Sequence, residues 1–375
     1  MKIKTVEFKK VCSAILQAVD NNALTPITET LELKTVGKTL HLNVTNKEYY
    51  VTIAMELDEE GEDFHATVNA NLFLKLISQI TTETVELTIS GNTLTIVGNG
   101  NYNLPLIYEG DKIVDLPEIT IGNVTSSFDI KSSILNRILN YNSKQLSETS
   151  ANDVIHRLYY VDNKGAITFA MSGCVNNFEL PVDIKMLFSD KLVKLFKLFK
   201  SDEDVHIDFG YDKLTDNISQ NKIRFVSKSI TLTSVVPNTD TLLKKIPVDK
   251  IRDMATADYP FNVVVKKESL IEAINRLSLF FTKDDLKTYS TLIFSNDSVS
   301  ICFGYDRTLD KNNKETITYD NAVEGLDTTI ILDVVMLKNL IEASNEETVT
   351  LAFSSDGNCV VLKTREVLNI IPKCS

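Results

Sequence analysis

The stretch SDKLVKLFKLFK, Ser189–Lys200, organises the reading of this chain. Leu192, Leu195, Phe196 and Phe199 recur at i, i+3, i+4 and i+7, the spacing of one face of an α-helix. Lys194 and Lys197 fall on the opposite face, with Lys191 and Lys200 on the shoulders. Ser189 suits an N-cap and Asp190 suits the first turn, where the helix dipole favours an anion. The following VHIDF, Val205–Phe209, alternates as a strand does. Taken alone, this is a surface helix with a solvated lysine face. Its meaning changes because the same order, helix then strands, recurs along the chain.

Working outward, apolar periodicity predicts helices over Val6–Val19, Asn69–Ile80, Asp129–Tyr141, Glu268–Phe281 and Asp333–Ala343. The first carries a stripe of Phe8, Val11, Cys12, Ile15 and Val19; the second carries Leu72, Phe73, Leu76, Ile77 and Ile80. Short alternating segments follow each helix, joined by turns such as Gly37-Lys38 and Gly91-Asn92. Among them, Val154–Val161, Asn177–Val182 and Glu315–Tyr319 read as strands, Lys144–Asn152 as a polar connection and Asp306–Lys314 as a charged hairpin loop. Leu116-Pro117-Glu118 and Val236–Asp258 read as linkers. The acidic run Asp58–Asp63 reads as a solvated loop whose spacing does not match a calcium loop. The period is about 120–135 residues, each holding two helix-plus-strands halves. This predicts an α+β fold of three tandem domains, 1–120, 124–248 and 259–375, with helices laid on one face of antiparallel sheets.

Composition bounds the function. The chain has 375 residues and 43% hydrophobic content, enough for two or three ordinary cores. No apolar run is long enough to span a bilayer, and MKIKTVEFKK lacks a signal core, so secretion is not expected. Cys12, Cys174, Cys302, Cys359 and Cys374 are scattered without CxxC spacing, which argues against zinc and a disulfide framework and fits a reducing cytoplasm. His41, His65, His156 and His206 are equally dispersed. The formal net charge of −12 argues against a generally sticky nucleic-acid binder, unless the basic residues are sorted onto one surface. There is no GxSxG, HExxH, Walker A or full GxGxxG, and Gly98-Asn99-Gly100 is a turn before a strand. An enzyme, a metal and a cofactor are therefore not expected.

With this architecture in place, the residues resemble the bacterial sliding clamp, the beta subunit of DNA polymerase III. The segments carrying the resemblance are ITETLELKTVGKTLHLNVTN (Ile27–Asn46), HATVNANLFLKLISQITTETVELTISGNTLTI (His65–Ile96), DLPEI (Asp115–Ile119), SVVPNTDTLLKKIP (Ser234–Pro247) and VLNIIPKCS (Val367–Ser375). The resemblance implies three clamp domains per chain and a head-to-tail homodimer closed into a ring, helices inside and sheets outside. Such a ring is a non-catalytic processivity factor that encircles duplex DNA without reading its sequence and tethers the replicative polymerase. Lys9, Lys10, Lys75, Lys131, Arg137, Lys191, Lys194, Lys197, Arg276 and Lys338 are then expected to face the DNA. Polymerase and clamp loader are expected to dock short peptides against Leu158, Met171, Gly173, Cys174, Val175, Pro237, Leu242, Ile370, Ile371 and Pro372. The subunit junction is expected to bring Tyr102 and Leu104 against Leu279 and Phe280. The location implied is the cytoplasm of a bacterial or phage-infected cell, at the nucleoid. Where the family usually has Gly-His-Arg-Leu, this chain has Gly173-Cys174-Val175-Asn176, and its tail, Ile371-Pro372-Lys373-Cys374-Ser375, also departs from the usual one. That divergence fits a phage or mobile-element copy with its own polymerase. The alternative is a clamp-like scaffold or decoy that binds replication proteins without closing a ring.

Overall fold

The computed structural model describes residues 1–20, 25–59, 63–146, 154–169, 172–200, 202–215, 218–238, 242–281, 288–306 and 309–374. The fold is α+β, with antiparallel sheets and helices packed on them. The chain divides into two compact units, Met1–Leu135 with Lys194–Asn238, and Asn136–Val193 with Thr239–Ser375.

In the first unit, an eight-stranded sheet runs in the order Asn123–Lys131, Asp204–Thr215, Ile218–Val226, Ile230–Val235, Tyr49–Glu56, Thr39–Thr45, Thr30–Val36 and His65–Asn69. A four-stranded sheet orders Lys2–Lys4, Thr84–Ser90, Thr93–Val97 and Asn101–Pro105. Strand alternation sends Leu31, Leu33, Leu40, Leu42, Val51 and Ile53 to the core. Two helices close it, Thr5–Leu16 and Ala70–Gln79, whose Phe8 and Phe73 rings meet edge to face at 6.0 Å. The second helix begins at Asn69, whose Oδ1 accepts the Leu72 amide at 3.0 Å. Its buried stripe is Ala70, Phe73, Leu74 and Ile77, so Leu72, expected inward, is 55% exposed.

The second unit repeats the plan. Its eight-stranded sheet orders Met186–Phe188, Tyr159–Asp162, Gly165–Phe169, Gly173–Asn177, Val367–Pro372, Cys359–Lys363, Thr348–Phe353 and Phe261–Lys266. Its four-stranded sheet orders Asp310–Thr318, Ser298–Phe303, Tyr289–Phe294 and Thr328–Asp333. The helices Lys267–Ser278 and Val334–Ala343 bury Leu270, Ile274, Leu277, Leu337 and Ile341 against them. Asp333 caps the second, accepting the Met336 amide at 3.0 Å.

Several elements differ from the sequence expectation. Asp129–Lys131 ends a strand rather than starting a helix; the helical path begins at Ser132, widens out of α through a π-helical turn at Ile138–Asn142 and continues to Leu146. Val154–Arg157 is a 3₁₀ turn, and the adjoining strand is only Tyr159–Asp162. The strand expected at Asn177–Val182 lies earlier, at Gly173–Asn177. Asp310–Thr318, expected largely as a loop, is an edge strand, where polar residues face water on one side. The largest miss is a helix, Val248–Thr256, inside the segment expected to be a linker.

Candidate nucleic-acid interface and partner surfaces

Ser189–Lys200 starts as expected: the Ser189 hydroxyl accepts the Leu192 amide at 3.3 Å and its carbonyl accepts the Val193 amide at 3.0 Å. The α-helix is short, Asp190–Lys194, and tightens into a 3₁₀ turn over Leu195–Leu198. This explains the sequence better than a pure 3.6 period. Lys191, Lys194, Lys197 and Lys200 recur every three residues, and residues three apart eclipse one another in a 3₁₀ turn. All four lysines are exposed, while Leu192, Val193, Leu195, Phe196, Leu198 and Phe199 are buried. In the first unit, Phe196 and Phe199 pack on Phe225 with ring centroids at 5.3 and 6.2 Å. Within that unit the apolar anchor fixes the backbone that carries Lys194, Lys197 and Lys200.

The remaining basic residues differ in how much charge they can offer a ligand. Lys10 and Lys75 are exposed and Lys9 is half-buried; none of the three forms an ion pair among the described residues. Lys131, at a strand end rather than on a helix, pairs with Asp204 at 2.7 Å, and both side chains are more than half exposed. Arg137 is largely consumed within its own unit. Its side chain is 22% exposed, its Nη2 donates to Asn176 Oδ1 at 3.0 Å and the Asn177 carbonyl at 2.7 Å, and its Nε lies 3.3 Å from Glu366. Arg276 is exposed but forks onto Glu315 at 2.8 and 3.0 Å, and this carboxylate holds its pKa above the usual value. Lys338 is 25% exposed and sits 3.7 Å from Glu342.

The expected peptide pocket separates by strand parity. In the second unit, Leu158, Val175 and Ile370 share a buried cluster with Ile246, Ile251 and Ala255. Gly173 lies on this same face: a Cβ there would sit 3.3 Å from Ile370 Cδ1 and 3.5 Å from Ile251 Cγ2. Leu242, Phe169, Met254 and Leu368 pack partly buried at its margin, and Pro372 is half-buried. Cys174 and Ile371 do not line this face. Successive strand residues point to opposite faces, so Cys174 turns toward Asn142, whose Nδ2 is 3.6 Å from its Sγ, and Ile371 joins the core with Leu337 and Leu340. Burial pushes the Cys174 thiol up to about 12, which makes it chemically inert. Pro237 belongs to the first unit, and Met171 lies outside the described residues.

The cover of this cluster is the unexpected helix Val248–Thr256. Val248, Ile251 and Ala255 face the sheet at i, i+3 and i+7, a helical signal that the flanking Pro247 and charges obscured. Arg252 anchors it by forking onto Asp162 at 2.6 and 2.9 Å. Asp162 also accepts the Tyr160 hydroxyl at 3.0 Å and the Lys164 amide at 2.9 Å. Burial works to raise the Asp162 pKa, but Arg252 and these hydrogen bonds outweigh it and hold the carboxyl below the usual range. A charged cavity of about 560 Å³ lies alongside, lined by Lys164, Asp183, Lys185, Asp249, Lys250 and neighbours.

At the expected junction, Leu279 is 83% and Phe280 47% exposed, just past the helix Lys267–Ser278, with Phe280 leaning on Phe303 at 5.7 Å. Tyr102 is half-buried, but Leu104 is 3% exposed and belongs to the core, so it presents only its backbone at the edge. Its strand, Asn101–Pro105, is outermost in one sheet, and Asp310–Thr318 is outermost in another.

Residues 1–111 match the family model described as DNA polymerase III beta subunit, N-terminal domain. The crystal structure of the DNA polymerase III subunit beta from Pseudomonas aeruginosa matches with a TM-score of 0.77 at 16% identity, covering 100% of this chain and 99% of that one. The chain has the sliding-clamp fold. The clamp from Bartonella birtlesii, solved bound to griselimycin, gives a TM-score of 0.82 at 15% identity, with 100% and 99% coverage. The clamp from Bacillus subtilis gives 0.77 at 15% identity, with 100% and 98% coverage. No curated protein sequence matches the chain. With identity this low, the clamp fold is preserved by burial pattern and sheet order, while side chains at the surfaces described above are free to differ.

Proposed function

We propose that this protein is a DNA sliding clamp, a non-catalytic processivity factor that closes as a head-to-tail homodimeric ring around duplex DNA and tethers the replicative polymerase. The observation that carries the reading is the clamp fold over the whole chain, joined to the family match of residues 1–111. The domains are 1–120, 124–248 and 259–375, each contributing two helices to the wall of the hole.

The charge distribution supports this reading. A chain of net charge −12 repels DNA over most of its surface. The lysine row of Ser189–Lys200, with Lys9, Lys10 and Lys75, supplies a phosphate-facing surface without base readout, as sliding requires. Topological closure supplies the residence that weak contacts do not. The outermost strands Asn101–Pro105 and Asp310–Thr318 offer unpaired backbone groups through which a sheet of one copy continues into a sheet of the next, with Leu279 and Phe280 packing at that junction. Polymerase and loader peptides dock at the margin formed by Phe169, Leu242 and Leu368, beside the helix Val248–Thr256. The protein acts at the nucleoid in the cytoplasm.

The test is native mass spectrometry together with retention on nicked circular DNA in the presence of a loader. A dimer that is retained on circles and released on linearisation is expected. A monomer, or binding indifferent to DNA topology, refutes the ring and leaves the scaffold.

A further inference from the structure

We propose that the first unit carries a divalent-cation site built from Glu32, His65 and Asp115, with the Asn43 amide oxygen as a fourth donor. Glu32 lies on the sheet face opposite Leu31 and Leu33, yet it is only 3% exposed. Strand register explains its company: Glu32 pairs with Asn43 across one ladder, while Lys34, two residues on, pairs with His65 across the other. The residues therefore sit side by side on one face. Asp115 arrives from the segment that follows the strand Asn101–Pro105, which is fixed to the same sheet. The Thr67 hydroxyl donates to the Val114 carbonyl at 2.6 Å, and the Ile107 amide donates to the Thr67 carbonyl at 2.8 Å.

The donor geometry suits a cation. His65 Nε2 lies 3.0 Å from Glu32 Oε1 and 3.7 Å from Asp115 Oδ1, and the three ligand atoms fall within 4.8 Å of one another. A tetrahedral ion with bonds of about 2.0–2.2 Å places neighbouring donors about 3.3 Å apart, and the two distances from His65 Nε2 bracket that value. A second observation comes from Asn43. It is 6% exposed, its Nδ2 donates to Glu32 Oε2 at 2.8 Å, and its Oδ1 is buried with no hydrogen-bond partner. A buried orphan carbonyl costs stability unless something satisfies it. It lines the same cavity of about 260 Å³ as Glu32 and Asp115. An imidazole, two carboxylates and an amide oxygen form a donor set suited to Zn²⁺ or a related transition ion. None is a thiolate, so the cysteine spacing that argues against zinc does not bear on it. Lys34, whose Nζ is 3.4 Å from Asp115, occupies the cation's place electrostatically and is 48% exposed, free to swing into water. A bound ion would staple the segment that carries Asp115 to the sheet.

Zn²⁺ titration of the chelator-stripped full-length chain by calorimetry tests the site, in a Cys374→Ser background to remove the half-buried thiol. One ion per chain is expected. His65→Gln and the exposed-site variant Asp115→Asn should each weaken binding at least tenfold, on the scale of losses at supported metal sites. Lys34→Ala should tighten it. Co²⁺ should give d–d bands without a thiolate charge-transfer band. Asp115 is 72% exposed, so its variant tests binding without threatening the fold. Absence of binding, binding unchanged in both ligand variants, or a thiolate band in the Co²⁺ spectrum overturns the proposal.

Discussion

Replacing Arg252 by methionine should separate the helix Val248–Thr256 from the sheet it covers. Arg252 is 20% exposed and Asp162 6%, so the substitution leaves a buried carboxylate that keeps only the Tyr160 hydroxyl and the Lys164 amide. Breaking one side of such a pair costs about 3–5 kcal/mol, and the partial exposure of Arg252 places this case near the lower end, about 3 kcal/mol. In urea, that is a midpoint lowered by about 1 M or more for the second unit. Hydrogen exchange across Val248–Thr256 should rise with it, because Ile251 and Ala255 stay seated only while the helix is anchored.

The pH dependence gives the sign. In the wild type the Asp162 carboxyl is depressed, so its contribution is present above the ordinary carboxylate pKa of about 3.9 and is lost as pH falls through the folded value. In Arg252→Met the opposing charge is gone and burial dominates, so protonation relieves the penalty. The difference between the two proteins should therefore shrink as pH is lowered from 7 toward about 4. Asp162→Asn combined with Arg252→Met should recover most of the loss, because both charges leave together. A cost under about 1 kcal/mol at neutral pH, or a cost independent of pH, refutes the claim that this pair holds the helix down.

Charge reversal at Lys194 and Lys197 together should abolish retention on circular DNA at moderate salt and lower the salt slope by about 2, since each lost phosphate contact removes about 0.9. Phe280→Asp should convert the proposed dimer into a monomer on the mass spectrometer, because the ring is 47% exposed at the expected junction and its contact with Phe303 lies at the edge of the core. Gly165→Ala should lower the thermal midpoint sharply: Gly165 has φ near +140°, and a Cβ there collides with the Asn176 carbonyl, for a combined cost of about 3 kcal/mol or more.

How much of this was legible in the sequence depends on the periodicity each element carries. Long helices with clean stripes, such as Lys267–Ser278 and Val334–Ala343, were readable because burial imposes a 3.6-residue period. Val248–Thr256 was not, because its stripe is only three residues and Pro247 reads as a turn; it is fixed by contacts to strands a hundred residues away in either direction, including Asp162. The same holds for Glu32, His65 and Asp115, whose proximity exists only once the strand register and the returning segment are set.

The pocket shows a different failure, one of parity. A run of consecutive residues such as Gly173-Cys174-Val175 or Ile370-Ile371-Pro372 cannot line one pocket when it lies in a strand, since every second side chain crosses the sheet. Register fixes which ones do: Gly173 pairs with Ile370 and Val175 with Leu368, and all four lie on the face covered by Val248–Thr256. Cys174 pairs with Asn369, and both lie on the other face. Cys174 therefore lies on the face away from Val248–Thr256, and on the proposed docking reading it would not touch a peptide. On the docking reading proposed above, specificity is set by Phe169, Leu242 and Leu368, which pack partly buried at the margin beside the helix Val248–Thr256.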